Sequence, residues 1–292
     1  MKKLLAVFIV LSLICLCACG TPADVPVQSG ESETSAAALT LTPEPEPVTI
    51  TVLRGNDADV IYALADMYTQ KYPHVTITFS EGAYENPSQF AENDAQMAFC
   101  ARTEAQLAAY PELKHYLMVG ECVGIVVNRH NQAEGLSSEQ LKRLLAGEIT
   151  NWSEVGGEEK PITVYPGNMR EYIDVLSERL GEGIPILSRF ECEIGDIMVD
   201  GSGGVSILRA SPAADTGPMA NSGVESTKVL RIDGIYPIMQ AVQSGEYPLV
   251  KKYYLLTPGE PDAATAAFID YLLHDAEVKA YLEQYGYCAY ES

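Results

Sequence analysis

From Val48 onward the chain switches repeatedly between two hydrophobic periods. Val48 to Leu53 carries β-branched residues in the pattern V-T-I-T-V, which predicts a strand, and Gly55-Asn56-Asp57 supplies a turn after it. Val60, Ile61, Leu64, Met67 and Tyr68 then recur at three- and four-residue spacing. They predict a helix with Asp57 and Asp59 in its first turn, where the macrodipole favours acid, and with Pro73 ending it. Val75 to Phe79 returns to the strand period, so residues 48–79 read as a βαβ unit with a parallel pair. Further on, Ser137 and Gln140 have the spacing of a capping box, flanked by Leu136 and Leu141 as a hydrophobic staple. They predict a helix to about Leu145 that Gly147 closes. Ile162 to Tyr165 reads as a short strand, Met169 to Leu180 as a helix, and Ala263 to Tyr285 as one helix with a broad apolar face built on Phe268, Ile269, Leu272, Val278 and Leu282. Strands alternating with helices, and no internal repeat, define an α/β fold.

The first residues follow neither period. Lys2 and Lys3 precede an apolar run from Leu4 to Leu16, shorter than the ~20 residues that span a bilayer. It ends in Leu16-Cys17-Ala18-Cys19-Gly20, which resembles the lipobox of bacterial lipoproteins. That resemblance implies a signal peptide over residues 1–18 and lipidation of Cys19; an uncleaved membrane helix or an ordinary signal peptide are the other readings. Cys15 and Cys17 follow the bulky Ile14 and Leu16 and fit cleavage less well. Residues 19–47 are Pro, Glu, Ser, Thr and Ala, too polar to bury a core, and are expected to form an extended tether between the lipid anchor and the folded part. The localisation implied is the extracytoplasmic face of the cell membrane.

Charge and cysteine usage narrow the chemistry. The chain has 40 acidic and 19 basic residues, a net charge of -21, which argues against nucleic acid or an anionic lipid surface as the partner. Cys100, Cys122, Cys192 and Cys288 are far apart with no C-x-x-C spacing, and the four histidines form no ligand pair. No metal and no cofactor are expected. Cys100 and Cys122 sit in apolar runs and are expected to be buried thiols; disulfide pairing stays open. No Ser/His/Asp set, nucleophile elbow or carboxylate pair nominates a catalytic residue, so an enzyme is not expected.

Leu136-Ser-Ser-Glu-Gln-Leu, followed by Gly147-Glu-Ile-Thr-Asn-Trp152 and Val155-Gly-Gly157, resembles the signature of phosphate-binding lipoproteins of ABC importers. The resemblance extends to Tyr68–Phe79, to Ala98–Glu104 around Arg102, to Gly124–Asn128 as a first crossing strand, to Gly203–Gly217, and to Asp233–Pro237 with Tyr247–Tyr254. It implies a two-lobed type II periplasmic-binding-protein fold with a ligand cleft between lobes joined by two crossing segments. Lobe 1 would comprise residues 48–127 plus 232–292, and lobe 2 residues 128–231. An ABC permease would be the partner that receives the solute.

Carried over position by position, the ligand site falls on Asn56 and Asp57 after the first strand, Gly82 after the second, Gln96 before the third, Arg102 after it, and Gly167, Asn168 and Arg170 after Ile162–Tyr165. Several departures remove oxyanion donors. Asp57 stands where a hydroxyl is expected, Glu81-Gly82-Ala83 lacks the serine of a Gly-Ser-Gly loop, Gln96 replaces an aspartate, and Pro166–Arg170 lacks two hydroxyls. Each charge-assisted bond contributes on the order of 1.5–3 kcal/mol, so losing three or four removes roughly 4–12 kcal/mol, against about 8 for micromolar binding. Phosphate is therefore doubtful as the solute. The plainer readings are a salt bridge for Arg102 or Arg170 and a helix cap for Asn56 and Asp57. Gly201-Ser202-Gly203-Gly204 lacks a following Lys-Ser or Lys-Thr, so it is not a P-loop and reads as a flexible helix start. Capture of a small solute for an importer is the leading expectation; the alternative is a surface sensor or interaction protein descended from the same fold.

Overall fold

The computed structural model describes residues 45–56, 58–165, 169–184, 203–210 and 226–290. The expectations for the signal peptide, Cys19 and the tether through residue 44, and for Cys192, Asp57, Gly167 and Asn168, lie outside the described residues. Strand β1 (Val48–Arg54) pairs in parallel with β2 (Val75–Ala83), Val48 opposite Val75 and Val52 opposite Phe79, and helix α1 (Val60–Lys71) makes the crossover. The βαβ expectation holds because α1 buries Ile61, Leu64, Ala65 and Tyr68 against the sheet. Its start is later than the charge pattern suggested. Asp59 is the residue before the helix and caps nothing, since its carboxylate is taken by Arg54 at 2.9 Å.

Strand β3 (Met97–Ala101) lies parallel to β1 on its other side, and β10 (Val250–Thr257) runs antiparallel between β3 and the long β4 (Lys114–Asn128). β4 links two parts of one sheet. It pairs with β10 from Lys114 to Cys122, and from Cys122 to Val127 with β7 (Gly204–Ala210), which in turn holds β6 (Thr163–Tyr165) in parallel. The order among the described residues is β2-β1-β3-β10-β4-β7-β6, with β8 (Thr227–Val229) and β11 (Cys288–Ala289) also on β4. A small parallel pair, β5 (Gly135–Leu136) with β9 (Arg231–Ile232), stands apart.

Three hydrophobic clusters follow from this topology. Ile50, Val52, Phe99 and Tyr253 face α1 and the C-terminal helices, while Leu53, Cys100 and Tyr254 face the other way toward Tyr84 and Phe90, the latter on α2 (Ser88–Glu92). The third gathers Cys122 to Val127, Leu141 of α4 (Ser138–Leu145), Trp152, Leu176 of α5 (Ile173–Leu180), Ile207 and Val242 of α6 (Met239–Gln243). Packing thus changes cluster at Cys122 on the outward strand and near Leu249 on the return.

The capping box is present: Ser137 accepts from Gln140 N, Gln140 returns the bond to Ser137 N, and α4 ends before Gly147, whose φ of +76° suits glycine. The Gly-x-Ile-Thr-Asn-Trp segment has a physical basis. Asn151 Oδ1 accepts from Ser153 N and Lys160 N, both at 3.0 Å, and caps a 3-10 turn (Trp152–Val155). Trp152, fully buried, donates from Nε1 to Gly203 O at 3.0 Å. That bond also corrects the reading of residues 201–204. Gly204 opens strand β7, and Gly203 serves as acceptor for Trp152 and for Thr163 N rather than starting a helix.

The expected single C-terminal helix is two: α7 (Ala263–His274) and α8 (Ala276–Gln284). Asp275 breaks it, since its extended backbone ends α7 while its carboxylate accepts from Glu277 N at 2.8 Å to cap α8 and from Lys71 Nζ at 2.7 Å. No helix among the described residues is long and apolar enough to cross a membrane.

Candidate functional site

The parallel strands β1, β2 and β3 end at one edge of the sheet, and ligands of open α/β sheets gather at such carboxyl edges. The first strand end is fixed by a close approach. Gly55 N donates to Phe99 O at 2.8 Å, and a Cβ on Gly55 would lie 2.7 Å from Cys100 Cβ. This brings Asn56, exposed in the turn, beside the end of β3. Arg54 O accepts from Tyr84 N at 2.7 Å, and Tyr84 O accepts from Arg102 Nη2 at 3.1 Å, so the ends of β1, β2 and β3 are stitched in a row.

Arg102 spends two donors on backbone, the other being Nη1 to Ala101 O at 2.8 Å, and stacks its guanidinium 5.0 Å from the Tyr84 ring centre. No carboxylate lies within ion-pair distance of it among the described residues. The salt-bridge reading of Arg102 therefore gives way to a half-buried cation held by carbonyls and an aromatic face. Burial pushes the Tyr84 phenol and the Cys100 thiol each up to about 12, so neither is ionised near neutral pH and Cys100 offers no nucleophile.

Facing this row is α5, preceded by the 3-10 turn Met169–Tyr172 in which Arg170 falls. Helix α3 (Glu104–Ala108), opened by a capping box between Thr103 and Gln106 that the sequence reading missed, touches it. Gln106 Nε2 donates to Asp174 Oδ2 at 3.1 Å, and Glu104 N donates to Glu178 Oε1 at 3.3 Å. Between them is a cavity of about 40 Å³, room for a few waters, lined on its charged side by Arg102, Lys251 and Lys252 and by Glu104, Glu171, Asp174 and Glu178. Lys252 pairs with Glu104 at 3.2 Å, and among the described lining residues four carboxylates stand against three cations.

The edge thus brings together Asn56, Gly82 and Arg102. Gly82 lies inside β2 rather than at a helix start, because the strand continues to Ala83, which pairs with Arg54. Gln96 is not among them. It stands before the other end of β3, roughly 20 Å from Arg102 at the rise of a strand, with its oxygen on Thr51 N at 2.7 Å and its nitrogen on Asp94 O at 2.8 Å. Arg54, a cation at the same edge, was not singled out from sequence. It donates to Gly55 O and Asp59 and lies 5.4 Å from the Tyr62 ring centre. Its place at the last position of a strand ending in Gly-Asn was the available signal.

A sheet whose strand ends face a second α/β half across a mouth defines a two-lobed binding-protein fold. The chain belongs to the PBP superfamily, whose domain matches residues 50–276. It is 26% identical over 215 residues to the phosphate-binding protein PstS of Bacillus subtilis (strain 168), an alignment that covers 71% of this chain and 65% of that protein, short of two thirds of its length. Its fold is that of an ABC-type phosphate transport receptor from Vibrio cholerae (TM-score 0.66, 21% identity, 82% of this chain and 99% of that one) and of PstS from Borrelia burgdorferi (TM-score 0.69, 14% identity, 85% and 100%).

Proposed function

We propose that the protein is the extracytoplasmic solute-binding lipoprotein of an ABC importer. It captures a small solute between the edge formed by Asn56, Gly82 and Arg102 and the segment that carries Gly167, Asn168 and Arg170, and delivers it to a permease. The observation that carries this reading is the alignment of 71% of the chain with a protein named for phosphate binding. The site suits binding, since its donors are strand-end amides and a guanidinium, with no activated nucleophile beside them among the described residues. Export by the signal peptide of residues 1–18, acylation of Cys19 and the tether through residue 47 place the binding domain outside the membrane. Lobe 1 is assigned to residues 48–127 with 232–292 and lobe 2 to 128–231, and the clusters favour breaks nearer Cys122 and Leu249.

Phosphate itself fits poorly. Among the described lining residues the carboxylates outnumber the cations, which disfavours a dianion, and two Arg102 donors are on carbonyls. A solute of lower negative charge is the better match. The same acidic lining also supports the second reading, a sensor or interaction protein that no longer takes up a solute. A thermal-shift screen of small solutes on the purified protein tests the first reading. The hit should lose at least about tenfold in affinity in Asn56→Leu and in Gly82→Val. Unchanged affinity in both would place the solute elsewhere.

A further inference from the structure

A second concavity lies at the opposite edge of the sheet from the mouth, where β2 begins and Val48 N donates to His74 O at 3.0 Å. It is an open groove of about 490 Å³ between the end of α1 and the end of α7. Its walls are aromatic. Tyr68 and Tyr72, four residues apart at the end of α1, present to one side of it, and Tyr271 comes from the last turn of α7. The ring centres lie 4.6 Å (Tyr68 to Tyr72), 5.0 Å (Tyr68 to Tyr271) and 6.4 Å (Tyr72 to Tyr271) apart. Tyr68 and Tyr271 are buried, and Tyr72 is half-buried. The plane of Tyr72 stands at 89° to that of Tyr271 and at 89° to that of His74, so the aromatic lining turns a corner.

The charge of the groove has one sign. Among the described lining residues there are two carboxylates, Asp270 and Asp275, and no Lys or Arg. Lys71 takes the Asp275 carboxylate at 2.7 Å, whereas Asp270 is exposed and pairs with His274 Nδ1 at 3.0 Å. The rings already draw a cation to their rim, since Lys71 Nζ stands 5.3 Å from the centre of the Tyr271 ring, and the negative face of an aromatic ring attracts an ammonium within about 6 Å. The Tyr271 hydroxyl is buried and has no hydrogen-bond partner among the described residues, so packing of α1 on α7 does not by itself account for a polar ring there. No three His, Cys, Asp or Glu side chains among the described residues come close enough to hold a metal ion, so the lining does not read as a metal site. We propose that this groove binds a small, freely diffusing organic cation, its alkylammonium group seated against the Tyr72 ring with Asp270 as counter-charge. An alkylated ammonium suits aromatic walls because it gives up its water more readily than a compact ion. The net charge of -21 favours the approach of any cation. This site is separate from the mouth and does not depend on solute capture there.

Ligand-observed NMR on the purified protein compares choline with 3,3-dimethylbutanol, which has the same shape with carbon in place of the charged nitrogen. Choline is expected to bind, and the neutral isostere to bind at least about fivefold more weakly. Tyr72→Leu keeps an apolar side chain and removes the ring, and it should weaken choline by at least about fivefold. If Tyr72→Leu does not fold, Asp270→Asn takes its place, since that side chain is exposed, and should weaken choline by about twofold or more. No saturable binding of choline at millimolar concentration, equal binding of the isostere, or unchanged choline affinity in the folded variant would each overturn the site. Phosphatidylcholine vesicles present the same headgroup. Association with them that excess choline reverses would give the groove to a lipid surface and overturn the assignment to a free cation.

Discussion

Lys251 on β10 stands directly opposite Glu121 on β4, and both are more than nine-tenths buried at the point where the chain passes between hydrophobic clusters. Opposite charges on facing ladder positions support each other, and removal of one leaves the other uncompensated. Lys251→Met keeps the length of the side chain and removes the charge. With the loss of its place over the Tyr172 and Tyr253 rings, this is expected to lower stability by about 2 kcal/mol, read as a shift of the urea midpoint at unchanged slope.

Gly55 is required by contact rather than by backbone angle. A methyl group there meets Cys100 Cβ at 2.7 Å and its Cα at 3.0 Å, and neither atom is the end of a flexible chain. Gly55→Ala should cost about 1–3 kcal/mol through overpacking and displace Asn56 from the strand edge. A thermal melt reads the first effect, and loss of affinity for any solute found in the screen reads the second.

Asp275 links the C-terminal helices to α1. The hydrogen bond from Lys71 holds its carboxyl below the ordinary value of 3.8, with further help from the amides of α8. A depressed folded-state value means that the stabilisation is complete above 3.8, the value in the unfolded chain, and fades as pH falls through the folded value. The protein should therefore melt higher than Asp275→Asn at neutral pH, and the gap should close below about pH 4. Asparagine preserves the cap, so a gap that persisted into acid would show that charge is not its source.

Burial pushes the thiols of Cys100 and Cys288 each up to about 12, and that of Cys122 well above its usual value. None of the three should react with a thiol reagent at pH 8 in the folded protein, and all should react once it is denatured. Rapid modification of any one in the native state would contradict its placement in the core.

Local features were legible in the sequence and distant pairings were not. The α4 cap could be read because Ser137 and Gln140 lie three residues apart, and β1, α1 and β2 because one period gives way to another within thirty residues. Asp275 was hidden by apolar positions that continue through the break, although an Asp ahead of Ala-Glu is itself a cap signal. Glu121 reads as a lone charge in a strongly apolar strand. Nothing nearby says that Lys251, Tyr172 and Tyr253 will converge on it, since that depends on β10 returning beside β4. Gln96 is a position where resemblance and topology differ: the resemblance assigns it to the site, and the direction of β3 sets it before the start of that strand.

Calorimetric titration of inorganic phosphate into the purified protein, after unfolding and refolding to strip carried-over ligand, tests the central claim most directly. A mouth whose described carboxylates outnumber its cations, and whose Arg102 has two donors on carbonyls, predicts no micromolar binding. A micromolar Kd would contradict that account and return the protein to phosphate capture with a rebuilt set of donors.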